Sequence, residues 1–505
     1  MLKKNLLKLA TCTAFAASAT LPASAEESSA LVDALVRKGV LTTKEADEIR
    51  ADMAREAETK SSGSSADKVK LNSSLTELKL YGDLRLRYQY DDKDVQANPD
   101  GVGVDNSLEQ RSPAGSQRSR WRFRLRLNAD FKLADDFFGG VELQTAIASD
   151  SGNATFENGF SDYPIFISKA YLGWSPNEWL TVTAGKIPNP FYTTDLIWDS
   201  DINPTGIAEV VALHEIFPTI GGGLSGGGYT KDGKQVAAAP ATDRPWELTL
   251  IAGQFIFDDN FEGGANDLGD PTRDNDRTTD AYLFQTQLVG SYKFSKDLKL
   301  TIAPGWMVYN AGSAAGLENE NEFEDYALVS GATRNLNILL LPGDLSFKVG
   351  GIKTKLFWDV AYNLEGRKRT NDIYRLAFAG SPETDPDDLV KRHNNRDNLA
   401  WLAGVQLGEN KQKGDWSLLA NYRETGIAAV DPNLNDSDFA LGELNTRGLK
   451  FGVAYNLTDF AVFGVTYMHA WNLRGDVIGG QATDGNEVAD GNTIRVLQVD
   501  LHLKF

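Results

Sequence analysis

The chain ends T-I-R-V-L-Q-V-D-L-H-L-K-F, from Thr493 to Phe505. From Val496 onward, Leu497, Val499, Leu501, Leu503 and Phe505 alternate with Gln498, Asp500, His502 and Lys504. Side chains that change character at every second residue belong to a strand with two unlike faces. A soluble sandwich also has such strands, with the polar side in water, so the rest of the chain decides.

The same period recurs. Leu80, Leu84, Leu86 and Tyr88 oppose Asp83, Arg85, Arg87 and Gln89, and Trp121, Phe123, Leu125, Leu127 and Phe131 oppose Arg122, Arg124, Arg126, Asn128 and Asp130. Further strands are expected near 138–148, 165–174, 179–187, 206–217, 246–257, 281–294, 297–310, 335–349, 352–364, 398–409, 414–425, 446–457, 460–473 and 494–505. That makes about sixteen, an even number as in bacterial barrels.

The connections separate a barrel from a sandwich. Tight joins such as Ala134-Asp135-Asp136, Ser295-Lys296-Asp297 and Leu457-Thr458-Asp459 alternate with long polar stretches near 91–119, 149–164, 188–205, 258–280, 311–333, 365–397, 426–445 and 474–492. Strict alternation puts turns at one end of a closed barrel and loops at the other. One long Gly-rich connection, 221–240, falls on the turn side and reads as an insertion. Aromatic residues at strand ends, among them Trp121, Trp174, Trp179, Trp306, Trp416, Tyr455 and Phe460, read as two interfacial girdles.

The N-terminus carries Lys3, Lys4 and Lys8, an apolar run and then Ala23-Ser24-Ala25, the pattern of a cleaved secretory leader over 1–25. Cys12, the only cysteine, lies inside it, so the mature chain forms no disulfide. Beyond the leader no stretch has the roughly 18 apolar residues of a membrane helix. Residues 29–58 turn helical: Leu31, Val32 and Leu35 share a face, Gly39 is a stop, and Thr42 with Glu45 makes a capping box. A hairpin over 26–66, with its Ser-rich end, is expected as a periplasmic tether or stalk, or as a plain spacer; the barrel occupies 67–505.

The net charge is −19, and the leader holds three lysines and no acids, so its removal takes the chain from −19 to −22. Such a chain does not seek nucleic acid. Four histidines, His214, His393, His469 and His502, stand in no G-x-S-x-G or zinc spacing, and no catalytic site or cofactor is expected. The acidic stretch 258–280 is expected to be solvated in preference to holding calcium.

Several stretches resemble the bacterial putative-porin family of outer-membrane channels: Gly185-Lys186-Ile187-Pro188-Asn189-Pro190-Phe191, Trp198-Asp199-Ser200-Asp201-Ile202-Asn203-Pro204-Thr205-Gly206, Gly414-Asp415-Trp416, Asn421-Tyr422-Arg423, Asp436-Ser437-Asp438-Phe439, Arg447-Gly448 and Tyr455-Asn456-Leu457. The resemblance implies an all-β transmembrane antiparallel barrel working as a porin, in an outer membrane among lipid and lipopolysaccharide. Likeness to general porins further implies a homotrimer and a third long loop folded inward. Similarity to outer-membrane barrels makes the last strand, with Leu501, Leu503 and Phe505, the signal read by the barrel assembly machinery.

A barrel of this size leaves an aqueous lumen. Arg85, Arg87, Arg122, Arg124 and Arg126 are placed on its lumen face, because each at the lipid midplane costs about 2–4 kcal/mol. Asp195, Asp199 and Asp201, on the third long loop, are the expected counter-charges of a constriction. The competing expectation is a structural or adhesive barrel with a filled lumen, attached to the cell wall through the hairpin.

Overall fold

A computed structural model of the chain describes residues 74–94, 116–146, 151–217, 245–258, 281–310, 335–377, 397–473 and 493–505, except 157, 158 and 161. The leader, the expected hairpin, the Gly-rich insertion and most of the acidic 258–280 stretch lie outside them. Residues 73–505 form one compact unit. Among the described residues no helix is long and apolar enough to cross a membrane.

The sixteen strands are β1 (Leu75–Asp94), β2 (Ser116–Leu133), β3 (Phe137–Thr145), β4 (Ile165–Asn177), β5 (Leu180–Lys186), β6 (Thr205–Ala212), β7 (Trp246–Asp258), β8 (Ala281–Ser295), β9 (Leu298–Ile302 and Gly305–Tyr309), β10 (Asn337–Leu340 and Gly343–Val349), β11 (Ile352–Asn363), β12 (Leu399–Gly408), β13 (Trp416–Thr425), β14 (Thr446–Asn456), β15 (Ala461–Asn472) and β16 (Thr493–Lys504). Each pairs antiparallel with its neighbour in sequence, and β16 returns to β1. Closure leaves every strand with two partners and no exposed edge.

β9 and β10, expected as continuous strands, are each broken at one point. The breaks sit side by side at Ala303-Pro304 and Leu341-Pro342, where proline has no N–H for the ladder. They are stitched across by Ala303 N–H donating to the Pro342 carbonyl at 2.9 Å. The strand expected over 206–217 ends at Ala212, and a single helical turn, α1 (Leu213–Ile216), follows. The 365–397 connection, expected to be a polar loop, contains the helix α2 (Gly366–Ala377).

The seam follows the period of the last strand. Leu503, Leu501 and Val499 lie opposite Leu84, Leu86 and Tyr88. Phe505 closes the pairing, donating its N–H to the Gly82 carbonyl at 3.0 Å and accepting from Gly82 N–H at 2.8 Å. A Cβ on Gly82 would come within 2.8 Å of the Phe505 ring, so the bare glycine makes the ring's seat. Trp121, Trp174, Trp306, Trp416, Tyr455 and Phe460 are all exposed on the outer surface, where such rings suit a membrane interface.

Inside, the described lumen is not empty. Two connections fold inward, 187–204 between β5 and β6 and 426–445 between β13 and β14. They bring apolar residues with them: Ile187, Leu196, Ile197 and Trp198 from the first, and Ala428, Ala429, Val430 and Leu434 from the second, all buried in one cluster.

Candidate functional site

The alternation of β1 and β2 sends their arginines inward, where each needs partners. Arg87 grips Asp500 of β16 through two nitrogens, at 2.8 and 3.0 Å, and reaches Asp438 of the second inward loop at 3.1 Å. Arg126 takes Asp83 at 2.8 Å, and Arg124 bridges Asp83 at 3.3 Å and Asp201 at 3.0 Å. Arg122 donates to Gln89 at 3.1 Å and to Ser151 and the Asn153 carbonyl at 3.3 Å each. Arg85 donates to Asn153 Oδ1 at 2.6 Å. The five arginines expected on one wall therefore stand together and are tied into the lumen's interior.

The three expected loop acids divide. Asp201 meets the arginine wall. Asp195 instead crosses to the other side, 2.8 Å from Arg423 on β13 and 2.6 Å from Lys450 on β14. β13 is eight strands from β5, half the circumference of a sixteen-strand ring, so the loop spans the lumen from wall to wall. On the way Tyr192 hydrogen-bonds Asp344, its N–H donates to Gln287 at 2.8 Å, and the Thr194 hydroxyl donates to Asp359 at 2.9 Å.

Asp199 touches neither wall. Its carboxylate accepts from Asp201 N–H at 2.9 Å, Ser437 N–H at 3.1 Å and the Ser437 hydroxyl at 3.2 Å. Burial, with the like charges of Asp436 and Asp201, pushes its pKa up to about 7 against these hydrogen bonds. Asp195 shows the opposite balance: burial works against its charge, yet Arg423 and Lys450 hold it well below the usual carboxylate range. For Asp438, too, burial is outweighed, and Arg87 and Gln498 bring it down to about 2.

The second inward loop was not expected. It docks on the first through Asp199 N–H to the Leu434 carbonyl at 2.6 Å and Asp436 N–H to the Asp195 carbonyl at 3.0 Å. Asp431 is hydrogen-bonded by Tyr309, Asp436 faces Lys450 at 3.1 Å and Arg423 at 3.3 Å, and Glu443 pairs with Lys93. The available signal was the run Ile427-Ala428-Ala429-Val430 followed by Asp431, Asp436 and Asp438: apolar residues in a connection have to be covered by something. Two loops, docked on one another, thus fold into the lumen.

Between these loops and the arginine wall lies a cavity of about 110 Å³ lined entirely by polar and charged side chains. A second, of about 330 Å³, lies on the other side of the first loop, beside Tyr192, Lys299, Asp344 and Lys355. The strand faces inside the barrel add Gln89, Asn128, Gln144, Gln285, Gln287 and Asn421, polar side chains that are buried. Among the described residues no cluster of three or more His, Cys, Asp or Glu is arranged to hold a metal.

Two solved proteins similar to the chain are a mutant of the Rh. blastica porin and a triple mutant of the Rhodopseudomonas blastica porin. Each is 10% identical, covers 85% of this chain and 100% of its own, and has a TM-score of 0.37. No curated protein matches the sequence. The family model described as "Putative porin" matches residues 47–325 and 352–505, most of the sixteen-strand barrel, and the chain belongs to that family.

Proposed function

We propose that this porin is an open, water-filled channel for passive diffusion of small hydrophilic solutes and ions, narrowed where the two inward loops meet the arginine wall. The observation that carries this is the crossing of a polar lumen by a loop fixed at both sides, at Arg124 through Asp201 and at Arg423 through Asp195. Fixed charges in a narrow, partly desolvated passage select ions. Arg85, Arg87, Arg122, Arg124 and Arg126 are the basic side of that passage, and Asp195, Asp199 and Asp201 belong to its loop side. Reversal potentials across a salt gradient test the assignment; replacing Arg122, Arg124 and Arg126 by neutral residues with no shift in selectivity overturns it.

The finer reading is an exported protein of a Gram-negative envelope, cleaved after Ala25, assembled through its final strand, set in the outer membrane against lipopolysaccharide and trimeric, with no catalysis. Phe505, Leu503 and Leu501 would be read by the assembly machinery, and the N-terminal segment would contact the cell wall. The filling of the lumen by two loops is the observation on the side of a structural or adhesive barrel. Stepwise conductance in a planar bilayer supports the porin; insertion without conductance supports the filled barrel.

A further inference from the structure

Two charged residues lining the cavity of about 110 Å³, Arg85 and Asp199, have no partner of opposite charge at ion-pair distance among the described residues. The cavity's remaining charges are satisfied: Asp195 and Asp436 by Arg423 and Lys450, Asp201 by Arg124, Asp438 by Arg87. Arg85 has only Asn153 Oδ1, at 2.6 Å, and no carboxylate within ion-pair distance among the described residues. Its Nε, shielded from solvent, has no protein acceptor. Asp199 is 7% exposed and accepts from backbone and hydroxyl donors, with no lysine or arginine partner among the described residues.

Asp199 is buried and Arg85 half-buried; a charge so placed without a counter-charge beside it is costly, and one ligand can relieve both. A simple anion would satisfy Arg85 and face the acids of the loops. A simple cation would satisfy Asp199 and face Arg85. A molecule carrying both charges on a short frame meets neither penalty. We propose, on the channel reading above, that this cavity captures a small zwitterion of the α-amino-acid class, its carboxylate on Arg85 and its ammonium toward Asp199.

The lining sets the size and side-chain preference. About 110 Å³ holds a few water molecules or one small organic ion. With no apolar side chain in the lining, glycine and serine fit and leucine or phenylalanine side chains gain little. Capture at such a site concentrates the solute at the narrowing, and the few direct contacts let it leave again.

The test uses the full-length purified protein in planar bilayers, titrated with glycine or serine, and with acetate and methylammonium as single-charge controls. The amino acids should reduce ion current saturably, half-blocking at a concentration about tenfold or more below either control, the ratio expected for one lost charge-assisted contact. Arg85→Gln and Asp199→Asn should each raise the half-blocking concentration of glycine by a similar factor. Acetate blocking as well as glycine, or glycine failing to saturate in a conducting channel, overturns the inference and leaves the channel intact. A bilayer that never conducts contradicts the channel reading instead. Isothermal titration of the detergent-solubilised protein with glycine decides the binding question in that event: one-to-one heat supports the site, and no heat rejects it.

Discussion

Arg423 and Asp195 lie 2.8 Å apart although β13 and the root of the Asp195 loop stand half the barrel's circumference away from each other. The guanidinium is 2% exposed, stacks over Phe439 at 4.3 Å and also meets Asp436. This contact anchors the far end of the first inward loop, and Lys450 doubles it.

Asp195→Asn should therefore free the loop at its far end. Arg423 and Lys450 both keep Asp436, at 3.3 and 3.1 Å, so the loss stays below the about 3–5 kcal/mol that stranding a buried charge costs. The expected outcome is a barrel that still folds, with rapid protease cleavage inside 187–204 and open-channel noise well above that of the parent. An unchanged cleavage pattern would show that the anchor lies elsewhere.

Neutralising Arg122, Arg124 and Arg126 together removes three positive charges from the wall while Asp195, Asp199 and Asp201 remain. Reversal potentials should move toward cation preference, and the shift should shrink at high salt, where the screening length falls to about 3 Å at 1 M. Asp201 loses both of its arginine partners in this variant, at 3.0 and 3.9 Å, so a modest rise in noise should accompany the shift.

Asp199 gives the docking of the two loops a pH dependence. Its pKa is raised, from 3.8 to about 7 in the docked loop. Below about pH 4 the group is protonated whether docked or free, and docking is at its tightest. As pH rises from 4 to 7 the free loop ionises first and docking weakens; above 7 the full cost of a buried charge beside Asp201 and Asp436 is present, on the order of a few kcal/mol. Loop-driven current noise should thus be greater at pH 8 than at pH 5, and Asp199→Asn should flatten the profile.

Gly82 and Phe505 share one outward spot at the seam. Gly82→Val should displace the ring and lower the yield of assembled barrel, as deletion of Phe505 should. Conductance of the barrels that do form should stay near the parent value, since neither residue faces the lumen. Heat-modifiable gel mobility of outer-membrane fractions separates yield from single-channel behaviour.

Period-two reading was enough to find the strands and their order, because a side chain's face in a strand follows from its position alone. Trp121 to Phe131 is an instance: every arginine there turned out on the inner face and Trp121 on the outer. Ion-pair partners did not follow in this way. Nothing local tells Asp195 to pass the nearby arginines for Arg423, more than two hundred residues later; that choice depends on the ring of sixteen being closed. The proline breaks in β9 and β10 were readable from Pro304 and Pro342. The docking of 426–445 was only half readable: its apolar run asks for cover, but the cover is another loop whose position requires the finished fold. Helix α2, with Arg367, Lys368 and Arg369 in its first turn, has too polar a start to stand out from a loop.

The most direct test is the current through single molecules of the purified full-length protein in a planar bilayer. Stable, stepwise conductance whose reversal potential moves toward cations when Arg122, Arg124 and Arg126 are neutralised is the predicted result. Barrels that insert and carry no current, or conduct with a selectivity indifferent to those arginines, would contradict the account.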